Sequence, residues 1–304
     1  GGARGIGREV ALQLARAGAT TILACRDVQA ARDVAAQIQA QTEPLVHVEV
    51  LRLDLSQVES IDRAVQTVVE RFGALHILVN NAGVPAAPCG QRTVHGIDEC
   101  LLVNHLGHFQ LTMGLLPLLI RSAPSRIVHV TSSAHQHAPM HTKWLAVPSI
   151  EASPLRLSMI QRYGAAKLAQ LAFSRELDRR LRAEGHSQVV SNAVHPGIVG
   201  SDFVAGNARR NFGVLLGGVL GALVRVRNAL IAYSVADGAC GVLFAAVSRR
   251  VKVGGGYFCP IGQPARTQHK MLESDAFLRE LWGGSEALVH HLRVEGASVD
   301  KKGL

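Results

Sequence analysis

Aromatic residues make up only 4% of this chain, and none alternates with clustered basic residues. That excludes the stacking platform a nucleic-acid binder needs, so no nucleic-acid partner is expected. Acidic charge is also scarce: 23 Asp and Glu stand against 32 Lys and Arg, a net charge of +9. The basic residues cluster no further than pairs such as Arg209-Arg210, Arg249-Arg250 and Lys301-Lys302. The excess therefore reads as solvated surface, with some help for contact with an anionic cofactor or a membrane. The five cysteines include no Cys-x-x-Cys, which argues against a disulfide framework and a zinc site and suits a reducing compartment. Of the 14 histidines, His135, His137 and His141 lie densest, but no Glu falls between them, and no metal is expected.

No run reaches the roughly 18 to 20 apolar residues of a membrane span. The nearest, from Phe212 to Val224, is too short and rich in glycine. No signal peptide is visible. The chain does not open with Met, and its first residue already belongs to a motif. An N-terminal piece is therefore expected to be missing, and the lack of an anchor proves little. The expected place is cytoplasmic, or membrane-associated and facing the cytoplasm.

What is present is 48% hydrophobic content over 304 residues, enough for a sizeable core. Helical and strand patterns alternate. Helices are predicted at 8–17, 28–40, 56–72, 96–120, 157–183, 236–248 and 274–292. Strands are predicted at 20–25, 46–53, 75–79, 126–131, 189–194 and 256–259. Ser56-Gln-Val-Glu59 reads as a capping box, and Pro117 as the bend of the long helix. This alternation predicts one α/β domain over 1–304, a doubly wound parallel sheet of Rossmann type with helices on both faces. The glycine loop at Gly1 should follow a strand, and none precedes it. The first strand is expected to be absent and the centre of the sheet to have a gap.

Gly1-Gly-Ala-Arg4-Gly5-Ile6-Gly7 opens the first helix. Glycines let the backbone approach a pyrophosphate, and a helix N-terminus offers free N–H groups and positive potential. Arg26 follows the strand predicted at 20–25, the second once the missing first strand is counted, where dinucleotide folds put an acid for an NAD ribose or a base for a 2′-phosphate. Arg26 and Arg4 favour NADP(H) over NAD(H). Asp27 is one position late and reads as the next helix cap. Asp54, followed by Leu55, follows the third predicted strand and is a candidate acceptor for an adenine amino group; the plain alternative is a turn. Asn80-Asn81-Ala82-Gly83 ends the fourth predicted strand, where amides can tie strand ends together and a glycine can let backbone pass a cofactor.

Tyr163 and Lys167 stand four apart and share one face of a predicted helix. A cation beside a phenol favours the phenolate, so the tyrosine is expected to titrate below its usual value of about 10. Such a group can exchange a proton near neutral pH. Ser133 and Asn104 lie upstream. Ser132 is the alternative serine, since adjacent strand residues face opposite ways.

In this order the motifs resemble those of the short-chain dehydrogenase/reductase family. The glycine pattern matches at Gly1, Gly5 and Gly7, Asn-Asn-Ala-Gly at 80–83, and the catalytic Asn, Ser, Tyr and Lys at Asn104, Ser133, Tyr163 and Lys167. A Pro-Gly matches at Pro196-Gly197. Finer details resemble the retinol-dehydrogenase-like branch, which includes the WW-domain oxidoreductases: 23–27, 103–109, 123–128, 132–135 and 194–197. The usual Thr after Pro-Gly-x-Val199 is replaced by Gly200, with Ser201 one residue along.

The resemblance implies roles. Tyr163 gives a proton to a carbonyl oxygen or takes it from an alcohol. Lys167 lowers the tyrosine pKa and holds the nicotinamide ribose. Ser133 bonds the substrate oxygen, and Asn104 holds a water that relays protons from Lys167. Gly1, Arg4, Gly5, Ile6, Gly7, Arg26, Asp54, Leu55, Asn81, Ala82, Gly83, Pro196, Gly197 and Val199 are the expected cofactor contacts. The segment 202–235 is expected to cover the substrate. Its apolar residues, flanked by arginines, suit a lipophilic alcohol, aldehyde or ketone, or shallow peripheral membrane contact, with a plain core helix as the alternative. The family also implies a homo-oligomer. A non-catalytic nucleotide-binding relative and an inactive fragment are the competing readings.

Overall fold

A computed structural model describes residues 1–43, 46–86, 96–139, 157–199, 232–267 and 269–300. Seven strands run β1 (Thr21–Cys25), β2 (Val48–Arg52), β3 (Ile77–Asn80), β4 (Ser125–Val130), β5 (Val189–Val194), β6 (Tyr257–Cys259) and β7 (Gln263–Pro264). The helices are α1 (Gly5–Arg16), α2 (Val28–Gln39), α3 (Val58–Phe72), α4 (Glu99–Leu101), α5 (Gly107–Arg121), α6 (Met159–Ala183), α7 (Val235–Val247) and α8 (Asp275–Asp300). Strands β3, β4, β5 and β6 form a parallel sheet in that order, with the short β7 antiparallel at its edge. β1 and β2 pair in parallel as a separate ribbon. This is the expected Rossmann-like α/β fold.

The two sheets are not hydrogen-bonded to each other among the described residues. Gly1 lies between their C-terminal ends. Its amine donates to the Ala24 carbonyl of β1 at 2.7 Å, and its carbonyl accepts from Asn81 Nδ2, just past β3, at 3.2 Å.

Period-2 alternation in the central strands feeds two cores. Ile127 of β4 and Ala193 of β5 join the core formed with α3, α5, α6 and α8. Their neighbours Val128 and Val194 join the core formed with α1 and α7. A third core packs α1 and α2 on β1 and β2. Both faces of a parallel sheet are thus covered, as its near-continuous apolar strands require. The last helix, α8, packs on α6 with Leu278, Leu281 and Trp282 buried.

Three expectations of local structure change. The long helix over 96–120 is three pieces: α4, a π-helical turn Leu102–Leu106, and α5. The irregularity falls at Asn104, whereas Pro117 lies within α5. The capping box at Ser56 and Glu59 does not form. Gln57 is the N-cap, and Ser56 turns back to give its N–H and hydroxyl to Asp54 Oδ1 at 2.9 and 2.6 Å. Asp27 caps α2 as expected, accepting from Ala30 N at 2.9 Å.

Candidate active site

The nucleotide-side loop is made by what its residues lack. A Cβ on Gly7 would strike the Gly1 carbonyl and lie 2.6 Å from Asn81 Nδ2, and one on Gly1 would lie 2.8 Å from Ala82 Cα. Gly5 takes φ +54 at the start of α1, with nothing near its missing side chain. Open backbone at a helix N-terminus is what a pyrophosphate needs. Gly1 is exposed as a residue, and its backbone nitrogen is tucked between strand ends. Arg4 lies in the loop itself, and Arg26 follows β1 close to the Ala24 carbonyl that Gly1 bonds. Both arginine side chains, exposed, thus flank the same loop. The residues fit a dinucleotide phosphate, with Arg4 and Arg26 as exposed cations beside it.

The other expected contacts divide. Ala82 touches Gly1, and a Cβ on Gly83 would lie 3.2 Å from Asn104 Oδ1 and 3.8 Å from Lys167 Nζ. Gly83 thus joins the glycine-loop side to the lysine side. Pro196 is buried, and Gly197 takes φ +86 with the Tyr233 ring against it. Val199 pairs with Tyr233 and, with Ile6, closes on Gly238 of α7. Asp54 spends Oδ1 on Ser56, the turn alternative, and Leu55 points into the core with its carbonyl against Gly107. Residues 202–231 and Ser201, with the 140–156 insert and His141, lie outside the described residues.

On the chemical side, β4 stops at Val130 and a 3-10 helix, Ser133–His137, begins. Ser132 is its N-cap: its oxygen accepts from Ala134 N at 3.2 Å, and its hydroxyl lies near enough to the Tyr163 phenol to lower that group's pKa. Ser133 lies one residue inside the short helix. The serine near the phenol is thus Ser132, the alternative, rather than the expected Ser133. The strand alternation ends before these residues, and a serine preceding a helix is placed by capping. Gly164 permits the approach, since a Cβ there would strike the Ala134 carbonyl.

Tyr163 is the fifth residue of α6, and Lys167 lies one turn on. The ammonium sits 5.8 Å from the phenol ring centroid. It donates to the Val130 carbonyl at 2.7 Å and to Gln170 Oε1 at 3.0 Å. Burial lowers Lys167 from 10.5 to about 8, with the Cys100 thiol opposing. Burial pushes the Tyr163 phenol up from 10.0, as does the Cys100 thiol; the Ser132 hydroxyl pulls it down. The expected acidic phenol is thus overturned for the chain alone. Tyr163 is half-exposed as a residue, but its phenol is closely surrounded, and desolvation outweighs a cation that faces the ring rather than the oxygen.

Asn104 is fully buried. Its Oδ1 accepts from Val84 N at 2.8 Å, while Nδ2 donates to the Val84 carbonyl at 2.8 Å and to Cys100 Sγ at 3.1 Å. Both amide donors are occupied, so the side chain is a strut between the π-turn and the 80–84 strand end. Sequence reasoning also missed Gln170, whose Nε2 bonds the Asn80 carbonyl at 3.4 Å and meets His108 Nδ1 at 3.3 Å. A polar residue at i+3 from a buried lysine is the available signal.

Comparison with known proteins agrees with this geometry. The family model described as short chain dehydrogenase matches residues 1–144. An uncharacterised oxidoreductase of Schizosaccharomyces pombe is 31% identical over 305 residues, covering 96% of this chain and 84% of its own. The chain belongs to the short-chain dehydrogenase family. Within it, the chain falls in the retinol-dehydrogenase-like branch. Retinol dehydrogenase 12 of Bos taurus is 42% identical over 200 residues, 66% of this chain and 60% of that protein. The chain thus spans about three-fifths of the length of that short-chain dehydrogenase. A solved structure of an uncharacterised protein from Mycobacterium paratuberculosis superposes with a TM-score of 0.66 at 29% identity, covering 95% of this chain and 91% of that one.

Proposed function

We propose that this short-chain dehydrogenase interconverts an alcohol and a carbonyl compound with a nicotinamide dinucleotide. The observation that carries the reading is the grouping of Ser132 beside the Tyr163 phenol with the Lys167 ammonium 5.8 Å from the same ring. Tyr163 gives the proton to the carbonyl oxygen, or takes it from the alcohol. Ser132 bonds that oxygen and fixes it beside the phenol, a small oxyanion-type site. Lys167, lowered by burial to about 8, changes charge close to physiological pH. A bound nicotinamide supplies the hydride exchange; the chain's residues bind, orient and polarise. Gly1, Gly5 and Gly7 take the pyrophosphate, and Arg4 and Arg26 favour NADP(H) over NAD(H) through a 2′-phosphate.

One domain carries both sites. The substrate class is a lipophilic alcohol, aldehyde or ketone. Exposed Ile160, Ile198 and Tyr233 support this: the first two are close in sequence to Tyr163 and Val199, and the Tyr233 ring lies against Gly197. The names of the retinol dehydrogenase relatives support it too. Binding without turnover is the second reading, favoured by the lysine's bonds to Val130 and Gln170. The test is a panel of retinal, medium-chain aldehydes, ketones and sugars with NADPH and NADH. Turnover of apolar carbonyls with NADPH supports the reading. Turnover of sugars alone would remove the substrate class, and dinucleotide binding without any turnover would favour the second reading.

A further inference from the structure

Tyr163 stands at a weak point of its helix. The first turn of α6 is where a helix frays, and Ile160 in that turn is 52% exposed. A local capping box, Ser158 with Gln161, closes the turn on itself without tying it to the rest of the molecule. Lys167, one turn deeper, is buried and held by β4. A phenol that must meet a carbonyl oxygen within a few tenths of an ångström needs more than a cap.

The tie comes from the residue before it. Arg162 Nη1 reaches Asp98 Oδ2 at 2.5 Å, with side-chain exposures of 0% and 3%. Among the described residues, the other ion pairs each have at least one arginine 37% or more exposed. Asp98 is itself fixed: Oδ1 accepts from Cys100 N at 3.0 Å and Leu101 N at 3.2 Å, capping α4. α4 runs directly into the π-turn that carries Asn104. The pair therefore bolts the start of the Tyr163 helix to the segment whose Asn104 braces the Gly83 strand end. A buried pair is costly to desolvate and adds little net stability over an apolar pair, so specificity of placement is its better rationale.

We propose that Arg162 and Asp98 are positioning residues that aim the Tyr163 phenol at Ser132. This rests on the reading of Tyr163 as proton donor and acceptor. The groups facing the phenol are Ser132 from the loop after β4, the Cys100 thiol from α4 and Lys167 from α6. A loosened first turn lets water reach the phenol and changes where it titrates.

The test uses the full chain labelled with 3-fluorotyrosine. It has three tyrosines, so fluorine NMR resolves Tyr163, assigned with Tyr163→Phe. Asp98→Asn keeps the shape and the cap of α4 but removes the charge. Arg162→Met keeps the stem, and Arg162→Lys keeps the charge. In Asp98→Asn and Arg162→Met, the Tyr163 signal should titrate lower than in the parent by roughly one pH unit or more. Arg162→Lys should recover part of the shift. With retinal and NADPH, kcat should fall about 100-fold while KM for NADPH stays within about threefold. The titration decides: variants that melt at lower temperature but keep the parental midpoint overturn the proposal, leaving only a structural pair. Should Tyr163→Phe retain the parental rate, the proton-donor reading fails, and the titration still judges the pair.

Discussion

The two halves of the site are built from opposite materials. The nucleotide half is backbone: Gly1, Gly5 and Gly7 act by having no side chain, in an exposed loop that bridges two sheets. The chemical half is packed side chain: Lys167 and Asn104 are buried, and each hydrogen bond there competes with another. A backbone half depends on spacing alone. A side-chain half depends on neighbours that other segments bring, so the electrostatics of Tyr163 are set by Cys100, Ser132 and burial rather than by Lys167.

The comparison breaks if single-atom changes do not separate the halves. Ser132→Ala should lower kcat about 100-fold or more with little change in NADPH affinity, while Ser133→Ala stays within about threefold. Steady-state kinetics on both variants settles which hydroxyl acts; equal losses would return Ser133 to the site. Gly7→Ala should do the reverse, weakening NADPH binding by at least about tenfold, because its Cβ collides with the Gly1 carbonyl. Fluorescence titration of NADPH reads this directly. Arg26→Ala should lower affinity for NADPH by about tenfold and leave NADH nearly unchanged. Equal effects on both cofactors would remove the 2′-phosphate assignment.

The smallest effect concerns stability. His105 and His129 are buried, and burial holds each at about 3 against an ordinary 6.5. The unfolded chain binds more protons than the folded one between those values, so stability is present above 6.5 and falls as pH drops toward 3. Melting temperature should decline between pH 7 and pH 5, and less steeply in His129→Phe. A parallel decline in both chains would show that other groups carry it.

The fold was legible where periodicity is long. Alternating strands and the helix at 157–183 stand within a few residues of their predicted ends, because tertiary packing agrees with local pattern there. The π-turn at Leu102–Leu106 was not legible, since all its residues are buried, polar Asn104 and His105 included, and give no period. Glycine spacing and the Tyr163/Lys167 interval could be read from sequence because each is a distance along one element. The choice between Ser132 and Ser133 could not, because the strand rule lapses where β4 ends and a five-residue 3-10 helix takes over. Nor could the commitment of Asn104 to Val84, a contact made across 20 residues.

The central claim is that the Tyr163 hydroxyl is the proton donor and acceptor. It is tested most directly by turnover of retinal with NADPH in Tyr163→Phe, alongside NADPH binding in the same preparation. The account predicts a fall in kcat of about 100- to 10,000-fold with binding retained. Undiminished turnover in a correctly folded variant would contradict it.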